Sequence, residues 1–162
     1  MYICIVLDPK PFLKMKQWLF VFLLACSVQL SMAQEKINWY TFEEVIQLAE
    51  QNPKMILVDV YTDWCGWCKK MDKETFTDKQ VIAYVNENFY AVKLNAENKK
   101  NKFTFRGKEY SEEDMARAMR VRSYPNFVIM DAAMENITQL PGYREARPFV
   151  SALSSLLDKF KN

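Results

Sequence analysis

The 162-residue chain has no histidine, three glycines and four cysteines. Without imidazole, a structural zinc site would need four ligands from cysteine or carboxylate, and only Cys65 and Cys68 stand outside the N-terminal 33 residues. A c-type haem needs histidine directly after a C-x-x-C pair, whereas Lys69 follows Cys68. A bridged iron–sulfur dimer stays open, with nothing pointing to it. Internal repeats and low-complexity tracts are missing. Excess charge of one sign is missing too: the formal net charge is +2. Taking away residues 1–33, with Lys10, Lys14, Lys16 and Asp8, leaves 19 basic and 19 acidic side chains. Such a balance argues against nucleic acid or an anionic surface as a partner.

What is present is a half-apolar chain of single-domain length. Lys16 precedes the apolar run Trp18 to Ala25, and Ser31-Met32-Ala33 forms a small-x-small site before Gln34. This reads as a secretory signal peptide over residues 1–33, with Met15 as the true start and 34–162 as the mature domain. The run is too short and too poorly flanked for a membrane span. A second reading takes Leu23-Leu24-Ala25-Cys26 as a lipoprotein box, with Cys26 the lipid anchor.

The run Val58-Asp59-Val60-Tyr61-Thr62-Asp63-Trp64-Cys65-Gly66-Trp67-Cys68-Lys69 carries the chemistry. A C-x-x-C after an apolar strand suggests a dithiol that cycles to a disulfide. The pair is too close in sequence to staple a fold, so in an exported chain it reads as catalytic. At a helix N-terminus, free backbone N–H groups and the helix dipole favour the thiolate of Cys65. Cys68 follows about one turn later on the same side.

The run resembles the thioredoxin superfamily in its strand, buried Asp59, aromatic loop and W-C-x-x-C-K. Further resemblances are Lys93-Leu94-Asn95, Val121 to Pro125 followed by Asn126 to Met130, and Gly142 before a closing helix. They extend over roughly 41–160. The resemblance implies an α/β thioredoxin fold, with a central mixed β-sheet flanked by helices on both faces. It also implies a cis Pro125 facing the cysteines and Lys93 as the buried partner of Asp59. The stretch at about 96–110 is longer than in minimal members.

The expected roles follow. Cys65 is an exposed nucleophile of low pKa that forms a mixed disulfide. Cys68 is the more buried resolving thiol, and Asp59, its pKa raised by burial, is the base that deprotonates it. Trp64 and Trp67 offer apolar surface, Gly66 leaves the turn unstrained, and Tyr124 beside Pro125 presents backbone to an extended substrate. Each has a plainer reading: Asp59 a satisfied polar group, Lys93 a surface charge, Tyr124-Pro125 a trans turn, Trp67 packing on a loop. Trp67 and Tyr124 stand where thioredoxins carry Pro and a smaller aliphatic residue, which leaves direction and specificity open. The expected activity is that of an exported, periplasmic thiol:disulfide oxidoreductase that reduces or isomerises protein disulfides. It uses the Cys65–Cys68 couple, no other cofactor and no metal, and draws on a membrane thiol electron donor. The alternative is a thioredoxin-fold binding module or chaperone-like adaptor without turnover.

Local signals place the elements. Thr41 and Glu44 form a capping box for a helix ended by Asn52-Pro53. Met55 to Tyr61 and Phe89 to Leu94 read as buried strands, joined through a helix capped by Asp78. A helix runs from Cys65 to about Glu74. Phe103 to Tyr110 forms a hairpin around Gly107. Ser111 with Asp114 starts a helix, Phe127 to Met130 and Ile137 to Leu140 pair antiparallel, and Pro148 enters the first turn of a last helix.

Overall fold

Strand β2 (Met55–Tyr61) forms the middle of the molecule because five consecutive residues of it, Ile56 to Val60, are buried. Such a run needs cover on both faces, and it has it. The computed structural model describes residues 36–161. The signal peptide, Met15, Cys26 and the cleavage position lie outside the described residues.

In chain order, β1 (Trp39–Tyr40) leads to α1 (Phe42–Gln51), then β2. Next come α2 (Gly66–Lys70), α3 (Lys79–Asn88) and β3 (Phe89–Asn95). A hairpin of β4 (Lys102–Phe105) and β5 (Lys108–Ser111) precedes α4 (Glu112–Ala118). Strands β6 (Asn126–Met130) and β7 (Ile137–Pro141) and helix α5 (Ala146–Lys161) complete the fold. The five-stranded sheet has the order β1-β3-β2-β6-β7. β2 pairs parallel with β3, as the strand–helix–strand spacing predicts, and antiparallel with β6. β6 and β7 are antiparallel neighbours. The sheet is therefore mixed.

Alternation along each strand sorts the side chains into two cores. Ile56, Val58 and Val60 join α1, α4 and Phe103 on one face. Leu57, Phe127 and Ile129 join α3, α5 and Met71 on the other. By the same alternation Asp59 falls on the face of Leu57, the face covered by the helix that starts at the cysteines.

The caps fall where the sequence puts them. Thr41 with Glu44 and Ser111 with Asp114 both form reciprocal capping boxes, and Asp78 accepts from the N–H groups of Gln80 and Val81. The hairpin turns at Arg106 and Gly107, both with positive φ (51° and 74°), the conformation a two-residue hairpin loop requires. The helix after the cysteines departs from expectation in its second half. From Met71 to Thr75 it widens into a π-turn, closed by the Phe76 N–H on the Met71 carbonyl at 2.9 Å. Among the described residues no helix is long and apolar enough to cross a membrane.

Candidate functional site

Cys65 and Cys68 are joined by a disulfide, with Sγ–Sγ 2.09 Å and Cα–Cα 5.3 Å. Cys65 is the N-cap of α2, and its sulfur accepts the Cys68 N–H at 3.1 Å. That donor and the helix start favour negative charge on Cys65 Sγ once the bond is opened. Both cysteines are buried, 3% and 4% exposed. The expectation of an exposed Cys65 above a more buried Cys68 is thus corrected for the oxidised state. The disulfide folds the Cys65 sulfur back against the helix end, and the exposed rim is indole instead: Trp64 is 68% and Trp67 57% exposed. Gly66 lies in the turn between the two cysteines. Its φ is not positive and open space lies where a Cβ would stand, so the turn does not require glycine.

Beneath the motif, Asp59 is 2% exposed. Register places it opposite Lys93 on β3 and Phe127 on β6. Lys93 Nζ donates to Asp59 Oδ2 at 2.9 Å and to Asp72 Oδ1 at 2.5 Å. Three rings surround the ammonium, with the centroids of Trp39, Tyr61 and Phe76 at 4.9, 5.1 and 5.3 Å. Lys93 is therefore held in place and is not a free surface charge. Oδ1 of Asp59, also buried, has no hydrogen-bond partner among the described residues. The Asp59 carboxyl is raised from 3.8 to about 6: burial pushes it up most, Lys93 pulls it part of the way back, and Asp72 adds a small upward push. Burial draws the Lys93 ammonium down, but Asp59 and Asp72 outweigh it and its pKa rises. A carboxyl near 6 exchanges a proton within the range where thiol exchange operates.

The Tyr124–Pro125 peptide bond is cis. Pro125 is buried, its carbonyl accepts the Gly142 N–H at 2.8 Å, and the Tyr124 ring meets Trp64 edge to face at 5.8 Å. This contact joins the loop before β6 to the cysteine motif. Trp67 does pack on a loop, against Tyr143 at 5.1 Å, yet stays largely exposed.

Two residues escaped the sequence reading. Asp72 lies four positions after Cys68, and that spacing, one helical turn, was a signal that it shares the helix face over Asp59. Tyr143 follows Gly142 and gave no signal, since only the folded chain brings it to Trp67. Among the described residues no cluster of three or more His, Cys, Asp or Glu side chains is placed to hold a metal.

The comparisons agree with this geometry. The thioredoxin-like domain family matches residues 42–157. The thiol:disulfide interchange protein DsbD of Actinobacillus pleuropneumoniae is 28% identical over 128 residues, covering 74% of this chain and 20% of that protein. The chain thus spans about a fifth of the length of that relative. Among solved structures, a DsbH oxidoreductase superposes with a TM-score of 0.64 at 21% identity, covering 79% of this chain and 89% of that one. The oxidised DsbD C-terminal domain of Neisseria meningitidis gives 0.55 at 17% identity, covering 73% and 98%. At those identities the two structures speak to the fold. With a matched family over most of its length and a closed cysteine pair at a helix N-terminus, the chain belongs to the thioredoxin-like domain family.

Proposed function

We propose that the protein is exported and works as a reductase or isomerase of protein disulfides, recharged by a membrane-bound thiol donor. The observation that carries the reading is the buried Asp59, held by Lys93 and through it linked to Asp72, under a cysteine pair whose first sulfur caps a helix. The similarity to a stretch of DsbD, a thiol:disulfide interchange protein, supports the same chemistry.

In the reduced state the Cys65 thiolate attacks one sulfur of a substrate disulfide. A Cys65–substrate bond forms, the substrate bond breaks, and the first substrate sulfur leaves as a thiolate. Asp59, ionised at neutral pH, takes the Cys68 proton. The Cys68 thiolate then attacks Cys65 Sγ, the mixed disulfide breaks, and the second substrate sulfur leaves. Two electrons pass from the dithiol to the substrate, and the Cys65–Cys68 bond is restored. Tyr124, beside the cis bond, presents its backbone to the substrate chain, and Trp64 and Trp67 supply apolar contact. An oxidising compartment does not regenerate a dithiol, so each turnover draws two electrons from a donor, and in an exported protein that donor sits in the membrane.

The test is the reduction potential of the Cys65–Cys68 couple in the purified protein, equilibrated against glutathione or dithiothreitol buffers and read by tryptophan fluorescence. A value below about −250 mV is expected for a reductase fed by a donor. A value above about −200 mV turns the reading toward oxidation of substrates. Export is checked by N-terminal sequencing of the protein recovered from the envelope fraction, where Gln34 is expected first.

A further inference from the structure

Two aromatic pairs stand on the rim of the disulfide, and they are built differently. Trp64 and Tyr124 meet through one edge-to-face contact. Trp67 and Tyr143 are held by a network. Lys70 Nζ lies 5.6 Å from the Trp67 ring centroid and 5.2 Å from that of Tyr143. The same ammonium is 3.7 Å from Glu74, and the Tyr143 hydroxyl donates to Glu74 Oε2 at 3.2 Å.

The backbone on either side of Tyr143 is fixed as well. Gly142 N–H donates to the Pro125 carbonyl, Arg144 N–H to Met71 Sδ at 3.4 Å, and Thr75 Oγ1 to the Arg144 carbonyl at 2.7 Å. An indole that is more than half exposed ordinarily samples several rotamers. Here one of its neighbours is a ring on a tethered loop, and a cation bridges the two rings. A wall ordered before binding loses less entropy when a substrate arrives. Because Lys70 is already engaged by Glu74 and by two rings, it adds no free charge to this wall.

We propose that Tyr143 is a specificity-determining residue: it fixes the Trp67 indole as an apolar wall for the side chain next to the reactive cysteine of an extended polypeptide disulfide. Substrates with a large aliphatic or aromatic residue at that place are favoured over those with a small polar one. The inference rests on the reductase reading above and names the substrate class for it.

The experiment uses the reduced protein and two disulfide-linked peptides that differ only in carrying Leu or Ser before the reactive cysteine. Wild type is expected to show a KM about five-fold lower for the Leu peptide, with kcat similar for the two, the scale of one aromatic contact. Tyr143→Ala brings the KM ratio to about one, whereas Tyr143→Phe, which keeps the ring, retains most of it. Trp67→Ala removes the wall itself and erases the same preference, which guards against a folding defect in a single variant. Equal KM values in wild type, or a preference that survives Tyr143→Ala, overturns this inference and leaves the reductase reading standing. Failure of wild type to reduce either peptide overturns both.

Discussion

The cysteine rim and the segment from Ala96 to Ser111 solve the problem of polar groups in opposite ways. In the segment, polar atoms find partners close by. Glu112 accepts from the Asn95 N–H at 2.7 Å and from the Asn101 amide at 2.9 Å, and Asn98 Oδ1 accepts the N–H groups of Lys100 and Asn101. Its apolar contribution goes inward: Phe103 is buried and stacks on Phe42 at 4.9 Å. The rim does the reverse. Its large apolar side chains point out, and its polar oxygens are left over inside. Asp59 Oδ1, Thr62 Oγ1 and Asn126 Oδ1 are the buried side-chain oxygens without a partner among the described residues. They lie near one end of β2 but on both faces of the sheet: Asp59, opposite Phe127, shares the face of Leu57, whereas Asn126, opposite Val60, lies on the other, and Thr62 follows the end of β2. Unsatisfied buried polar atoms cost stability and persist where another demand holds them. For Asp59 the proposed demand is a group able to take a proton beside a thiol.

The sharpest way to break the contrast is to remove the sulfurs. Cys65→Ser is expected to abolish disulfide reduction to background, measured with an insulin or peptide disulfide. Cys68→Ala stops turnover and accumulates mixed disulfides on Cys65, seen by non-reducing electrophoresis after alkylation. Next comes Asp59→Asn, which acts on chemistry and stability in opposite senses. Removing the base slows resolution of the mixed disulfide by about a hundred-fold, and the rise of the wild-type rate through pH 6 disappears. For stability, the folded pKa lies above the ordinary carboxyl value. The proton-linked stabilisation is fully present below about pH 4 and is lost as pH rises through about 6. The loss is on the order of 3 kcal/mol. Denaturant melts should therefore show Asp59→Asn more stable than wild type at pH 8, with the gap closing below pH 4. Equal stability at both pH values would mean that burial imposes no ionisation cost on Asp59.

Much of this was legible before the fold. The capping boxes at Thr41 and Ser111 depend on four consecutive residues each, and the hairpin turn at Arg106-Gly107 on two; local chemistry settles them. The apolar run Ile56 to Val60 identifies a strand covered on both faces whatever covers it. Asp59 was legible because a carboxylate inside such a run needs an explanation. What escaped depends on register and on distant loops. Asp72 meets Lys93 across 21 residues of chain, and the π-turn from Met71 to Thr75 has no counterpart in the sequence signals. Tyr143 reaches Trp67 across 76 residues of chain, through a loop tied to Pro125. The burial of Cys65 was misread because the motif indicates a reactive sulfur but not that its neighbouring indoles, rather than the sulfur, form the exposed rim.

On the other side of the comparison, Phe103→Ala should lower stability by about 3 kcal/mol, since it opens a cavity beside Phe42. It should leave the reduction potential unchanged, because Phe103 packs in the core on the face of the sheet opposite to Asp59. A shift in potential with Phe103→Ala would join the two regions energetically and undo the contrast.

The smallest effects come from one backbone conformation that occurs at the rim and again just past α4. Arg120, just past the end of α4, has φ 59°, and the Val121 N–H reaches back to the Ala116 carbonyl at 3.1 Å. Gly142, at the rim, has φ 88° and ties to Pro125. An L side chain in this region costs about 1 kcal/mol, part of which glycine returns through its freer unfolded chain. Arg120→Gly should therefore stabilise by about 0.5 kcal/mol, a rise in Tm of about 1–2 °C, with activity untouched. Gly142→Ala should destabilise by about 1 kcal/mol. Because Tyr143 is the next residue, it should also raise KM for the Leu peptide, measured in the same peptide assay. If Gly142→Ala changes Tm alone, the loop carries Tyr143 without fixing it, and the order seen in the Trp67 wall must come from Lys70 and Glu74.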